Sequence, residues 1–188
     1  NNLGGVLKDL GDLGGARAAL ERALAIDERV HGPDHPSVAI RVDNLGLVLQ
    51  DQGDLAGARA AFERTLAIDE RVHHLDHPSV AATANNLGSV LWAQGDLAGA
   101  KAAFERALAI DERVHGPDHP KVAMRVTNLG DVLKDQGDLA GARAAFEQAL
   151  AIFRRQLGEH HRHTEFARRS LATVATSTTT SSSIVDGP

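Results

Sequence analysis

The chain repeats itself every 42 residues: Asn2-Leu3-Gly4 returns as Asn44-Leu45-Gly46, Asn86-Leu87-Gly88 and Asn128-Leu129-Gly130. The stretch Gly53-Asp54-Leu55-Ala56-Gly57-Ala58 returns from Gly95 and again from Gly137. A fixed period of this size implies a stack of similar supersecondary units, each burying its apolar face against the next, rather than one globular core. Such stacks present long surfaces, which points to binding rather than to chemistry.

Composition narrows the unit. The chain is 43% hydrophobic yet holds five Phe, one Trp and no Tyr, so alanine and leucine must supply most of the packing. Small and unbranched apolar side chains without strand-like alternation favour closely spaced helices. The formal charge of −5 provides no basic stripe for nucleic acid or an anionic membrane, so the expected partners are proteins or peptides. With no cysteine, disulfides and thiolate metal sites are ruled out, and a reducing, cytoplasmic setting is expected. No apolar run approaches membrane-spanning length, and no signal peptide opens the chain at Asn1.

The stretch from His77 to Val114 serves as the specimen unit. Pro78 suits a first helical turn, with Asp76 or His77 as the cap. Val80, Ala84, Leu87, Gly88 and Leu91 then follow at helical spacing and form one buried stripe. Gly95 stops this helix and Asp96 caps a second, whose apolar face is Leu97, Ala100, Phe104, Ala107, Leu108 and Ile110. His115-Gly116-Pro117-Asp118 breaks the pattern before the next unit starts at Pro120. Each unit is thus predicted to be two antiparallel helices joined by a tight Gly-Asp turn. Arg17 with Glu21, Arg59 with Glu63, Lys101 with Glu105 and Arg143 with Glu147 form i,i+4 pairs on a solvated face.

Leu87, Gly88, Leu91, Ala100, Phe104 and Ala107 resemble the packing positions of the tetratricopeptide repeat. The longer period and the wording His-Pro-x-Val-Ala, Asn-Asn-Leu-Gly, Gln-Gly-Asp and Ala-Leu-Ala-Ile resemble the variety found in kinesin light chains and many bacterial regulatory proteins. The resemblance covers Asn1 to about Leu157. It implies an all-α, right-handed α-solenoid of antiparallel helix pairs whose first helices line a concave peptide-binding face. Val42, Ala84 and Val126 stand where the family carries an aromatic, and Leu49, Leu91 and Leu133 where it carries tyrosine. Leu47, Ser89 and Asp131 occupy the place of the asparagine with which some members clamp a terminal carboxylate, so a C-terminal carboxylate ligand is not expected.

The expected organisation is four repeats over 1–157, the first truncated, then a capping helix over 158–175 and a disordered Ser/Thr-rich tail over 176–188. The first unit lacks the start of its first helix, so the expectation is a fragment with a cut N-terminal stack face through which copies could self-associate. His31 and His35, His73 and His77, and His115 and His119 recur at one spacing, and His160, His161 and His163 cluster near the end. Zinc requires three or four convergent ligands, and these histidines read instead as turn and cap residues. No nucleophile and base pair up and no phosphate-binding glycine loop is present, so neither an enzyme nor a cofactor is expected.

Comparing the copies locates a surface. The second helices are near-duplicates even at exposed positions. The first helices are not: Ile40, Asp43, Leu47, Gln50 and Asp51 become Ala82, Asn85, Ser89, Trp92 and Ala93, then Met124, Thr127, Asp131, Lys134 and Asp135. These positions fall within an arc of about 100° opposite the packing stripe. The peptide-binding residues expected from this are Asn85, Ser89 and Trp92 at the centre, flanked by Asp43, Leu47 and Gln50 and by Thr127, Asp131 and Lys134. Trp92 is the expected anchor. Two other readings stay open: a sensor or oligomerisation region of a larger signalling protein, and a plain structural spacer.

Overall fold

The computed structural model describes residues 2–73 and 75–182. Among these the chain is helical throughout: α1 (Asn2–Asp9), α2 (Leu13–His31), α3 (Pro36–Asp51), α4 (Leu55–Val72), α5 (Pro78–Ala93), α6 (Leu97–His115), α7 (Pro120–Asp135), α8 (Leu139–Leu157) and α9 (Arg162–Ser182). The helices fall into two compact units, Asn1–Asp96 and Leu97–Pro188. In the first unit α1 packs on α2, α2 on α3, α3 on α4 and α4 on α5. In the second, α6 packs on α7, α7 on α8 and α8 on α9.

The tight turn within a pair follows from three residues. Gly53 N–H donates to the Gln50 carbonyl at 3.0 Å and Asp54 N–H to the Leu49 carbonyl at 2.9 Å, the two bonds of a Schellman ending. That ending needs a left-handed residue, and Gly53 sits at φ 79°. Asp54 then caps α4 by accepting the Gly57 N–H at 2.9 Å. Gly137 and Asp138 build the same turn between α7 and α8, where Asp138 accepts the Gly141 N–H at 2.8 Å.

Histidine governs the longer turn between pairs. His77, rather than Asp76, caps α5: its Nδ1 accepts the Ser79 N–H at 3.2 Å, with Pro78 at the first helical position. His35, His119 and His161 cap α3, α7 and α9 in the same way. The rings of His31 and His35, His73 and His77, and His115 and His119 stack with centroids 4.5, 4.0 and 4.6 Å apart. Among the described residues no three His, Asp or Glu side chains converge on a metal position.

Small residues on the first helices admit aromatic rings from the second. A Cβ on Gly46 would lie 2.8 Å from the Phe62 ring, and one on Gly130 would lie 2.7 Å from the Phe146 ring. Both rings are fully buried. Around Phe62 gather Leu49, Ala58 and Val90, and around Phe146 gather Leu133, Ala142 and Val174. On the outer face the i,i+4 pairs Arg17–Glu21, Arg59–Glu63 and Arg143–Glu147 close at 2.8 Å and Lys101–Glu105 at 3.8 Å.

Leu171 and Val174 of α9 pack on the Phe146 cluster. The helix runs on through Ser182, so the expected division between a cap ending at 175 and a tail starting at 176 falls inside α9. The tail's last residues, 183–188, lie outside the described residues. At the start of α9, His163 stacks on Phe153 with centroids 5.5 Å apart. Burial holds its imidazole below the ordinary histidine value, and the charges of Arg162 and His161 push the same way. A folded value below the unfolded one means that stability is intact above about pH 6.5 and is lost as pH falls through the lowered value. Replacing His163 with Phe removes this term. The melting temperature of H163F relative to wild type should therefore rise between pH 7.5 and pH 5; a pH-independent difference would refute the linkage.

Candidate functional site

On the first unit, α3 carries Ile40, Asp43, Leu47, Gln50 and Asp51, and α5 carries Ala82, Asn85, Ser89, Trp92 and Ala93. The two end positions of each set are exposed and the middle ones half-buried. Asp43 accepts a hydrogen bond from Asn86 Nδ2 at 3.4 Å, which ties the two helices together. Burial raises the Asp43 carboxyl above its ordinary value; the Asn86 bond pulls it down and the charge of Asp69 pushes it up again. Leu47 packs beside the Phe62 cluster, so part of its surface belongs to the core. Ser89 donates its hydroxyl to the Asn85 carbonyl at 3.1 Å. Asp51 pairs with Lys8 at 3.0 Å.

On the second unit the corresponding positions lie along α7. Met124 is exposed, whereas Thr127 is buried and its hydroxyl donates to the Ala123 carbonyl at 2.8 Å. Thr127 therefore lines the wall of a cavity, with Met124, Phe153, His163 and Phe166, instead of standing out from the helix. Asp131 and Lys134 form an ion pair at 3.3 Å. Burial raises the Asp131 carboxyl, and Lys134 opposes that shift. The mixed charge of this stretch is thus largely internal to α7.

The structure also shows side chains that inspection of the first helices alone misses. Asp27 near the end of α2 takes the Arg41 Nε of α3 at 2.9 Å, and Asp111 of α6 takes the Arg125 Nε of α7 at 2.8 Å. In α4 the same position is Asp69, and it faces Thr83. The sequence signal is a spacing of 14 residues that joins one unit to the next. It is masked because these acids sit inside the constant second-helix wording.

Stacked helix pairs with a Schellman-plus-cap turn, a glycine notch for an aromatic and an adaptable first-helix face define an α-solenoid of the protein-interaction class. The Tetratricopeptide repeat profile matches residues 1–71, 39–113, 79–133 and 122–178, and the chain belongs to that family. A crystal structure of a Podosopora anserina protein, described as a putative kinesin light chain with nearly identical TPR-like repeats, superposes with a TM-score of 0.84. It is 23% identical, over 95% of this chain and 85% of that one. A single-substitution variant of that protein gives a TM-score of 0.85 at 22% identity, over 95% and 84% of the two chains. BtubC (BKLC) from P. vanneervenii gives 0.82 at 23% identity, over 92% and 68%. At these identities the likeness is one of fold. No curated protein matches the chain. Among the described residues no helix is long and apolar enough to cross a membrane.

Proposed function

We propose that this scaffold binds a peptide segment of a partner protein on the varied face of its first helices. On the first unit the contacting residues are Asp43, Leu47 and Gln50 of α3 with Asn85, Ser89 and Trp92 of α5. On the second unit they are Asp131 and Lys134 of α7, with Thr127 shaping the adjoining cavity. The observation that carries the reading is the contrast between copies: α2, α4 and α6 keep most of their exposed residues, with departures in α8 at Gln148, Arg154 and Gln156, while the first helices change along one arc in every copy. Half-buried polar side chains beside an aromatic suit a backbone-reading surface, because an asparagine both donates to and accepts from a peptide group. A cytoplasmic setting is part of the same reading.

Affinity capture from the source cell, with wild type beside the Asn85→Ala/Trp92→Ala double variant, tests it. The captured segment, resynthesised as a peptide, should bind the Trp92→Ala variant more weakly by at least about 1 kcal/mol, or roughly fivefold. Helicity by circular dichroism should be unchanged. Equal affinity for wild type and both variants would remove Trp92 and Asn85 from the site.

A further inference from the structure

An acid near the end of each second helix recurs as the half-buried Asp27 and the buried Asp69 and Asp111, and becomes Phe153 on α8. Fourteen residues on, the next first helix presents Arg41, Thr83, Arg125 and Ala167. Where acid and arginine both occur they pair, at 2.9 and 2.8 Å. Where the arginine is lost at Ala167, the acid is lost too, and Phe153 and Ala167 are both buried in one apolar cluster. Asp69 departs from this rule. It is 5% exposed, and among the described residues its carboxylate takes only the Thr83 hydroxyl, at 3.5 Å. Among the described residues no Lys or Arg forms an ion pair with it.

A carboxylate buried without its cation is strongly unfavourable, and the short Thr83 leaves room beside it. That room is an open cavity of about 170 Å³ in the first unit, lined by Asp69, Thr83, Thr65, Asp43 and Ala82 among others. A water's share of liquid volume is about 30 Å³, so several heavy atoms fit. The second carboxylate, Asp43, is itself desolvated there and repelled by Asp69. Two acids thus face a space from which the cation of the neighbouring copies has been withdrawn.

We propose that this cavity receives a guanidinium group, supplied by an arginine side chain of the bound protein segment in place of the arginine that Arg41 and Arg125 supply in the neighbouring copies. A planar fork of five N–H donors matches two carboxylates better than a compact ammonium does. The cavity opens beside Ile40 and Ala82, both on the varied arc, so its occupant enters from the face assigned to peptide binding. That the arginine belongs to a protein segment rests on the peptide reading; the preference of the cavity for a guanidinium does not.

The test is a titration of the isotope-labelled full chain with N-acetyl-arginine methylamide and with its neutral isostere, N-acetyl-citrulline methylamide. The arginine compound should shift the amide resonances of Asp69 and Thr83 saturably, and the citrulline compound should not. Asp69→Asn and Thr83→Arg should each weaken the response by about tenfold or more. Asp69→Asn is nearly isosteric, so it decides the matter if Thr83→Arg misfolds. An equal response to citrulline, no saturable response to arginine, or unchanged affinity in the folded variants overturns the proposal. Asn85→Ala/Trp92→Ala should keep its affinity for the arginine compound within about twofold while losing the captured peptide, so the two readings fail separately.

Discussion

Replacing Arg125 with Ala is expected to destabilise the second unit by about 3–5 kcal/mol, measured as the shift of the urea midpoint at constant slope. The side chain of Asp111 is 3% exposed and that of Arg125 13%, and their 2.8 Å contact joins α6 to α7. Removing the guanidinium leaves a carboxylate in a place where water cannot solvate it. His115 Nε2, 3.8 Å from the other Asp111 oxygen, helps only when protonated. The chain also contains the remedy, because its last copy carries Phe153 and Ala167 at the two positions. The double variant Asp111→Phe/Arg125→Ala should therefore recover most of the loss and come within about 1.5 kcal/mol of wild type. An Arg125→Ala loss below about 1 kcal/mol would mean that the pair is solvated and that its desolvation logic is wrong.

This charge pair marks the boundary of what can be read from the chain. The helix pairs are legible because their determinants are local: Gly53 and Asp54 both stop one helix and start the next, whatever lies around them. The cap of the longer turn is only half legible, since Asp76 and His77 are both competent; the chain geometry gives the place to His77. Asp27, Asp69 and Asp111 look like solvated acids because Asp-Glu-Arg is a common exposed string. The burial of Asp69 and Asp111, and the partial cover of Asp27, come from the next first helix, which lies beyond the reach of a single helical period. Thr127 illustrates the converse. It lies on the arc that varies between copies, yet that arc is wide enough for its inner edge to pass under a neighbouring helix, and Thr127 is buried. The candidate surface is consequently a band of half-buried residues rather than a row of exposed ones.

Phe146→Ala should be comparably damaging, at about 3–5 kcal/mol, because it empties the volume that holds α7, α8 and α9 together. The ring is fully buried, with Leu133 of α7 and Val174 of α9 in its cluster. The same ring accounts for a glycine in the middle of a helix, where Ala would ordinarily be favoured by about 1 kcal/mol. A Cβ at Gly130 would sit 2.7 Å from the ring edge, closer than real Cβ contacts come, and a ring packed on every side cannot shift to make room. Gly130→Ala should thus lower stability by about 1–3 kcal/mol despite the better helix propensity. In a Phe146→Ala background the clash disappears, and the same substitution should become neutral or stabilising. The sign change is the informative result, since it measures a coupling between two positions rather than the worth of either. If Gly130→Ala has the same effect in both backgrounds, glycine is not there to admit the ring. If the sign reverses, Gly46 with Phe62, where the approach is 2.8 Å, should show the same cycle in the first unit.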